Sequence, residues 1–117
     1  MSKTGTSETN AVLDNHLAAA QRGDLEGVLS DFSEDSVLLL PQGPVRGIEE
    51  LREFYKSFLM KPPSEFPKSF ELLRRDVEGE VANIVWKADP GVQLATDTFL
   101  VRDRKIVVQT FAASLAA

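Results

Sequence analysis

The sequence predicts one α+β domain, and three observations carry that prediction. Two helix-period stretches open the chain and a third follows one short apolar strand. The second half is a run of apolar strands separated by short turn signals. At 117 residues the chain fits a single domain, long enough to bury about two thirds of its extended surface in one core. Helices gathered ahead of hairpin-linked strands pack on one side of an antiparallel sheet.

The elements follow in order. Met1 to Glu8 is rich in Ser, Thr and Gly and reads as a flexible tail (1–8), with the folded domain over 9–117. Thr9 or Asn10 can cap a helix that runs to about Arg22 with Leu13, His16, Leu17 and Ala20 on one stripe, and Gly23 ends it. Asp24 caps a shorter helix that presents Leu25, Val28, Leu29 and Phe32. Ser36 to Leu40 is a strand, and Pro41-Gln42-Gly43-Pro44 is a turn. Gly47 opens a third helix with Ile48, Leu51, Tyr55, Phe58 and Leu59 on its buried face, and Pro62-Pro63 stops it. Lys61 to Pro67 is irregular. Four strands close the chain: Lys68 to Val77, Val81 to Ala88, Gln93 to Arg102 and Ile106 to Ala113.

Composition excludes several classes of function. With no cysteine and one histidine, thiolate and His-cluster metal sites are excluded, and no Asp/Glu spacing resembles a calcium loop. No cofactor is expected. The net charge is −5 with no Lys/Arg block, which argues against nucleic acid or an anionic membrane as partner. The first ten residues lack an apolar signal core and no run approaches the ~20 apolar residues of a membrane helix. The expected compartment is the cytoplasm.

A few residues stand out against this background. His16 interrupts an apolar helix stripe, so its imidazole must find a partner or sit beside a cavity. Asp97 interrupts an uncharged run from Val92 to Val101 and faces solvent, an interface or a pocket. Gln109 is the polar member of a strand face that parity gives to Val107, Phe111 and Ala113, where it can orient a ligand carbonyl or hydroxyl. Trp86 and Tyr55 belong either to the core or to a ligand platform. The adjacent Arg74 and Arg75 point oppositely from their strand, with Glu71, Asp76 or Glu78 as ion-pair partners. The last two strands are apolar on both faces, which predicts a homodimer joined through the outer sheet face.

The order helix, Gly23-Asp24-Leu25, Phe32-Ser33-Glu34-Asp35-Ser36-Val37, Pro41, Gly47, and the ending Thr96-Asp97-Thr98-Phe99-Leu100-Val101-Arg102-Asp103-Arg104-Lys105-Ile106 resemble the nuclear transport factor 2-like superfamily, with its SnoaL-like and ketosteroid-isomerase-like members. The resemblance spans about Thr9 to Ala113. It implies a curved sheet wrapped around the N-terminal helices, a cone with a pocket at its open end, and frequent dimers. It places His16 where ketosteroid isomerases carry a tyrosine that hydrogen-bonds the substrate carbonyl. With one residue fewer in the following hairpin, Asp97 falls where those enzymes keep a protonated aspartic acid, here set among Phe99 and Phe111. Leu40 stands where their general-base carboxylate precedes the proline, which argues against steroid isomerisation. The resemblance therefore implies a pocket for an apolar small molecule, with His16 and Asp97 as donors and Gln109, Phe111, Trp86, Tyr55, Leu40 and Phe99 around the ligand. Isomerase or cyclase chemistry on an apolar carbonyl compound is one reading. Binding without catalysis, and a dimeric interaction module with a vestigial pocket, are the others.

Overall fold

The computed structural model describes residues 5–60 and 69–115. The irregular segment expected over 61–67 and the Pro62-Pro63 helix stop lie outside the described residues. Helix α1 (Thr6–Gln21) starts one turn earlier than its sequence caps suggest, with Gly5 as N-cap. Thr6, Ser7 and Glu8, read as tail, are therefore helix. Thr9 looks like a cap because it is a short hydroxyl residue. Its hydroxyl instead donates to the Gly79 carbonyl at 2.6 Å, and the Thr6 hydroxyl accepts from the Gly79 N–H at 3.0 Å. These bonds fasten the first turn of α1 to a distant strand turn.

Gly23 ends α1 in the left-handed region (φ 67°), where an L side chain would be strained. Asp24 then caps α2 (Leu25–Leu29), its carboxylate accepting from the Gly27 N–H at 3.0 Å. Strand β1 (Phe32–Leu40) returns through the two-residue turn Pro41-Gln42 into β2 (Gly43–Arg46), a strand that the sequence reading took for a turn. Pro44 hid it. A proline cannot donate to a ladder and is tolerated only at a sheet edge, which is where β2 lies. Helix α3 (Gly47–Met60) follows, then β3 (Phe70–Glu78), β4 (Val81–Ala88), β5 (Val92–Arg102) and β6 (Lys105–Leu115).

The six strands form one curved, mixed sheet in the order β2-β1-β6-β5-β4-β3, with β1 parallel to β6 and every other pair antiparallel. Bulges bend it. In β1 the register shifts between Phe32 and Val37, where the Ser36 hydroxyl donates to the Ile106 carbonyl at 2.6 Å. In β6 the pairing passes from Val101–Ile106 to Leu100–Val108, leaving Val107 as the extra residue. Simple alternation put Val107 on the face of Gln109. The bulge reverses the parity there, so Ile106 joins Gln109 on the inner face. Arg74 pairs with Asp76 at 2.6 Å, as expected. Arg75 instead reaches α1, at 2.8 Å from Asp14 and 2.7 Å from Asn10 Oδ1. The helices thus sit in the hollow of the sheet, over a core that includes Leu13, Val28, Leu38, Leu51, Phe99 and Ile106.

Candidate functional site

Strand alternation sets the inner surface. Trp86 on β4, Asp97 and Phe99 on β5 and Gln109 on β6 all point into the hollow and are buried. The helices supply His16 from α1 and Tyr55 from α3, both buried too. All six line one cavity of about 40 Å³. That is room for about one water molecule. Phe111 lines it as well. Leu40 does not. It is the last residue of β1, paired with Gly43, and its side chain packs against the edge of the core. The turn into β2 begins there and carries it past the cavity.

Four side chains form one directed chain of hydrogen bonds. The Tyr55 hydroxyl donates to Gln109 Oε1 at 2.8 Å. Gln109 Nε2 donates to Asp97 Oδ2 at 2.8 Å, and Trp86 Nε1 donates to Asp97 Oδ1 at 2.7 Å. Burial pushes the Asp97 carboxyl up to about 6, while the Trp86 and Gln109 bonds oppose that rise by favouring the anion. At pH 7 the group is therefore mostly a carboxylate. The donor role read from the sequence needs the acid form, which prevails only below about pH 6. Burial, and then the Asp97 charge, hold the Tyr55 hydroxyl far above its ordinary value, so it stays protonated.

His16 is the odd member. Burial lowers its pKa to about 4, so the imidazole is neutral across the working range. Its Nδ1 is buried with no hydrogen-bond partner. The ring lies edge-on to Phe32, Tyr55 and Phe99, with centroids 5.9, 6.0 and 5.2 Å away. An orphaned polar atom of this kind costs on the order of 1–3 kcal/mol.

Several lining residues were missed, Phe54 and Phe58 among them. Phe54 was not singled out at all, and Phe58 was assigned to the core. They are one helical turn apart on α3 and stack at 5.6 Å with planes 15° apart. Both also line an open depression of about 770 Å³ outside the fold, next to Val45, Glu49, Glu50 and Glu53. The two rings are thus the partition between that depression and the inner cavity. Beyond them, Phe111 stacks on Trp86 at 6.1 Å and 14°. The i, i+4 spacing of Phe54 and Phe58 was visible in the sequence. Its placement over a cavity was not, because that depends on how α3 crosses the sheet.

Among the described residues no cluster of three or more His, Asp or Glu could hold a metal ion, and no helix is long and apolar enough to cross a membrane. The fold and this polar cluster in an apolar hollow define an NTF2-like α+β protein. The profile of the SnoaL-like domain matches residues 13–109, and the chain belongs to that family. No curated protein sequence matches significantly. Solved structures are similar in fold. A SnoaL-like protein of unknown function from Burkholderia thailandensis E264 superposes with a TM-score of 0.78 at 18% identity, covering 97% of this chain and 99% of that one. A protein named as a candidate ketosteroid isomerase, from Kribbella flavida DSM 17836, gives 0.77 at 16% identity over 96% and 82%. A candidate polyketide cyclase from Sinorhizobium meliloti gives 0.72 at 18% identity over 87% and 94%.

Proposed function

We propose that the protein binds an apolar carbonyl compound in the hollow of the sheet and moves a proton on it, as an isomerase or cyclase does. One observation carries the reading: a carboxyl tuned to about 6 and a neutral imidazole with an unpaired Nδ1 share one apolar cavity. A base works best with a pKa near the operating pH. Asp97 as carboxylate takes the proton beside the carbonyl. His16, neutral, offers a hydrogen bond to the carbonyl oxygen and brings no positive charge with it. Preorganised donors of this kind lower barriers most where water is excluded. The base sits on β5 and not at the end of β1, where Leu40 stands, so a steroid enone is not the expected substrate.

Binding without catalysis is the second reading, and it needs only the apolar lining and not the proton chemistry of Asp97. On either reading the cavity must open, since about 40 Å³ is far below the ~300 Å³ or more of a ligand pocket. Phe54 and Phe58 line both the cavity and the depression outside, so displacing their rings is the entry route both readings favour.

The test is a panel of cyclic ketones and enones in D2O. Binding is read from the fluorescence of Trp86, the single tryptophan, and chemistry from deuterium uptake beside the carbonyl by NMR. The proton-transfer reading expects both signals, with exchange falling at least ~100-fold in Asp97→Ala. Fluorescence change without exchange leaves only the binding reading. Silence in both channels across the panel rejects the cavity as a carbonyl site.

A further inference from the structure

The direction of the hydrogen bonds from Tyr55 to Asp97 carries a consequence for the ligand. A carboxylate can only accept, so an ionised Asp97 obliges Gln109 to turn its Nε2 toward Oδ2. Gln109 Oε1 is then left to face Tyr55, whose hydroxyl proton is spent on it. Tyr55 in this state can only accept from a ligand. A primary amide is nearly symmetric in shape and opposite in polarity at its two ends. Turning it over requires no other side chain to move.

We infer that taking up a proton on Asp97 reverses this relay and makes Tyr55 a hydrogen-bond donor to the ligand. The protonated carboxyl donates to Gln109 Oε1. Gln109 Nε2, now on the other side, donates to the Tyr55 oxygen. The Tyr55 proton, released, points into the cavity it lines with His16. Trp86 keeps its bond to Oδ1 in both states, and only the Tyr55 proton loses its acceptor. The reversal conserves the number of hydrogen bonds within the relay, and a ligand oxygen in the cavity accepts from the Tyr55 hydroxyl, whose proton would otherwise be orphaned at a cost.

This inference rests on the proton-transfer reading and gives it a second donor. In that reaction the C–H bond beside the carbonyl breaks and its proton goes to Asp97. The electron pair moves into the C–C bond as the carbonyl π pair moves onto oxygen. The new O–H turns toward Gln109, the amide turns over, and Tyr55 donates to the enolate oxygen at the moment its charge has formed. Returning the proton to a different carbon resets the relay and leaves an isomer. Tyr55 is then a catalytic residue that touches the substrate oxygen, and Gln109 a positioning residue between it and the base.

The groups facing Asp97 are few. His16 approaches from α1 and Tyr55 from α3, Gln109 and Trp86 are its strand neighbours, and no Lys or Arg lines the cavity among the described residues. Asp31 adds charge only at Tyr55. His16 takes up its proton at about 4 and Asp97 at about 6, so the two steps are separable.

The chain has one tyrosine and one tryptophan, so ¹³Cζ-tyrosine and indole ¹⁵N labels each give a single assigned signal. Titrated from pH 8 to pH 4.5, the Trp86 indole reports the state of Asp97 directly. The Tyr55 signal should move with the same midpoint. In Gln109→Met the indole should still titrate while the Tyr55 signal stays still. Asp97→Asn places an amide donor permanently against Gln109, so its Tyr55 signal should sit at the low-pH position at every pH. A Tyr55 signal that ignores the indole titration overturns the inference, as does one that follows it unchanged in Gln109→Met, or an indole that does not titrate at all. On an exchanging ketone, Tyr55→Phe and Gln109→Met should lower kcat ~100-fold with KM changed by less than ~3-fold. Coupled titration without exchange on any ketone rejects the proton-transfer reading and leaves the relay standing. Exchange with an unmoved Tyr55 does the reverse.

Discussion

His16 and Asp97 are displaced in opposite directions by the same burial, and their opposition is measurable in stability. The folded state keeps His16 neutral down to about pH 4, whereas the unfolded chain protonates it near 6.5. As pH falls the unfolded chain binds that proton first. Stability from His16 is therefore whole above about 6.5 and lost on the way down to about 4. Asp97 works the other way. Its folded pKa of about 6 lies above the unfolded value of 3.8, so its charge is a penalty above about pH 6 that is relieved as pH falls toward 3.8. Each displacement corresponds to roughly 3 kcal/mol. Between pH 6 and pH 4 the two nearly cancel. Urea unfolding of Asp97→Asn should show stability falling steeply over that window, while His16→Phe should gain stability as pH drops. Asp31, whose carboxyl is also raised by burial, acts alike in all three proteins. Parallel pH slopes for wild type and both variants would mean that neither group is buried as described. At this scale the sequence was informative about His16 and Asp97, since each breaks an apolar pattern in its own element. The relay that holds Asp97 was not legible. Tyr55 and Gln109 are 54 residues apart and meet only through the fold.

If the proposed ligand is to enter so small a cavity, an element must give way. Phe54 and Phe58 stand on the last turns of α3, with Phe111 packed edge-on to Phe58 at 5.8 Å. Phe58 lines both the inner cavity and the depression beside Glu49, Glu50 and Glu53, so removing its ring is expected to join the two. Phe58→Ala should accordingly raise the association rate of a Trp86-quenching ligand while costing about 3 kcal/mol of stability. Stopped-flow fluorescence and urea titration read the two effects. An unchanged association rate would place the entrance elsewhere. Most elements were legible because their apolar spacing is regular: α3 and β4 were read with starts that match the structure. The exceptions have local physical causes. β2 carries a proline that only an edge strand tolerates. β6 carries a bulge, which no periodic pattern announces. The first turn of α1 is held by hydrogen bonds to Gly79, from residues that composition alone assigns to a tail.

The whole molecule has a second surface to account for. The outer face of the sheet holds cross-strand rows that run Val37, Val108, Leu100, Val81 and Leu39, Thr110, Thr98, Asn83. Leu39 is 44% exposed and Val81 44%, and the charged side chains of these strands lie mainly toward their ends. A half-covered antiparallel sheet normally presents polar residues to water. Here polarity is supplied by threonines and by Asn83, whose Nδ2 donates to the Thr96 and Thr98 hydroxyls at 3.1 and 3.0 Å and to the Asp97 carbonyl at 2.9 Å. Those bonds use the Asn83 amide and the Thr96 and Thr98 hydroxyls internally and make the face less polar than its composition suggests. A second copy of the chain presents the same surface, so a two-fold pairing places like rows against like without opposing charges. The protein is therefore expected to be a homodimer at micromolar concentration, joined sheet to sheet. Thr110 is exposed at the centre of the face and does not line the inner cavity. Thr110→Lys should convert the dimer to a monomer in sedimentation velocity while shifting unfolding stability of the monomer by less than about 1 kcal/mol. Asp97 lies on β5 directly behind this face, between Thr96 and Thr98, so a sheet-to-sheet pairing would also stiffen the strand that carries Asp97. The monomeric variant should keep the Asp97 titration but exchange its β5 amide protons faster. A wild-type protein that sediments as a monomer at micromolar concentration ends the dimer proposal and leaves the exposed rows without a partner.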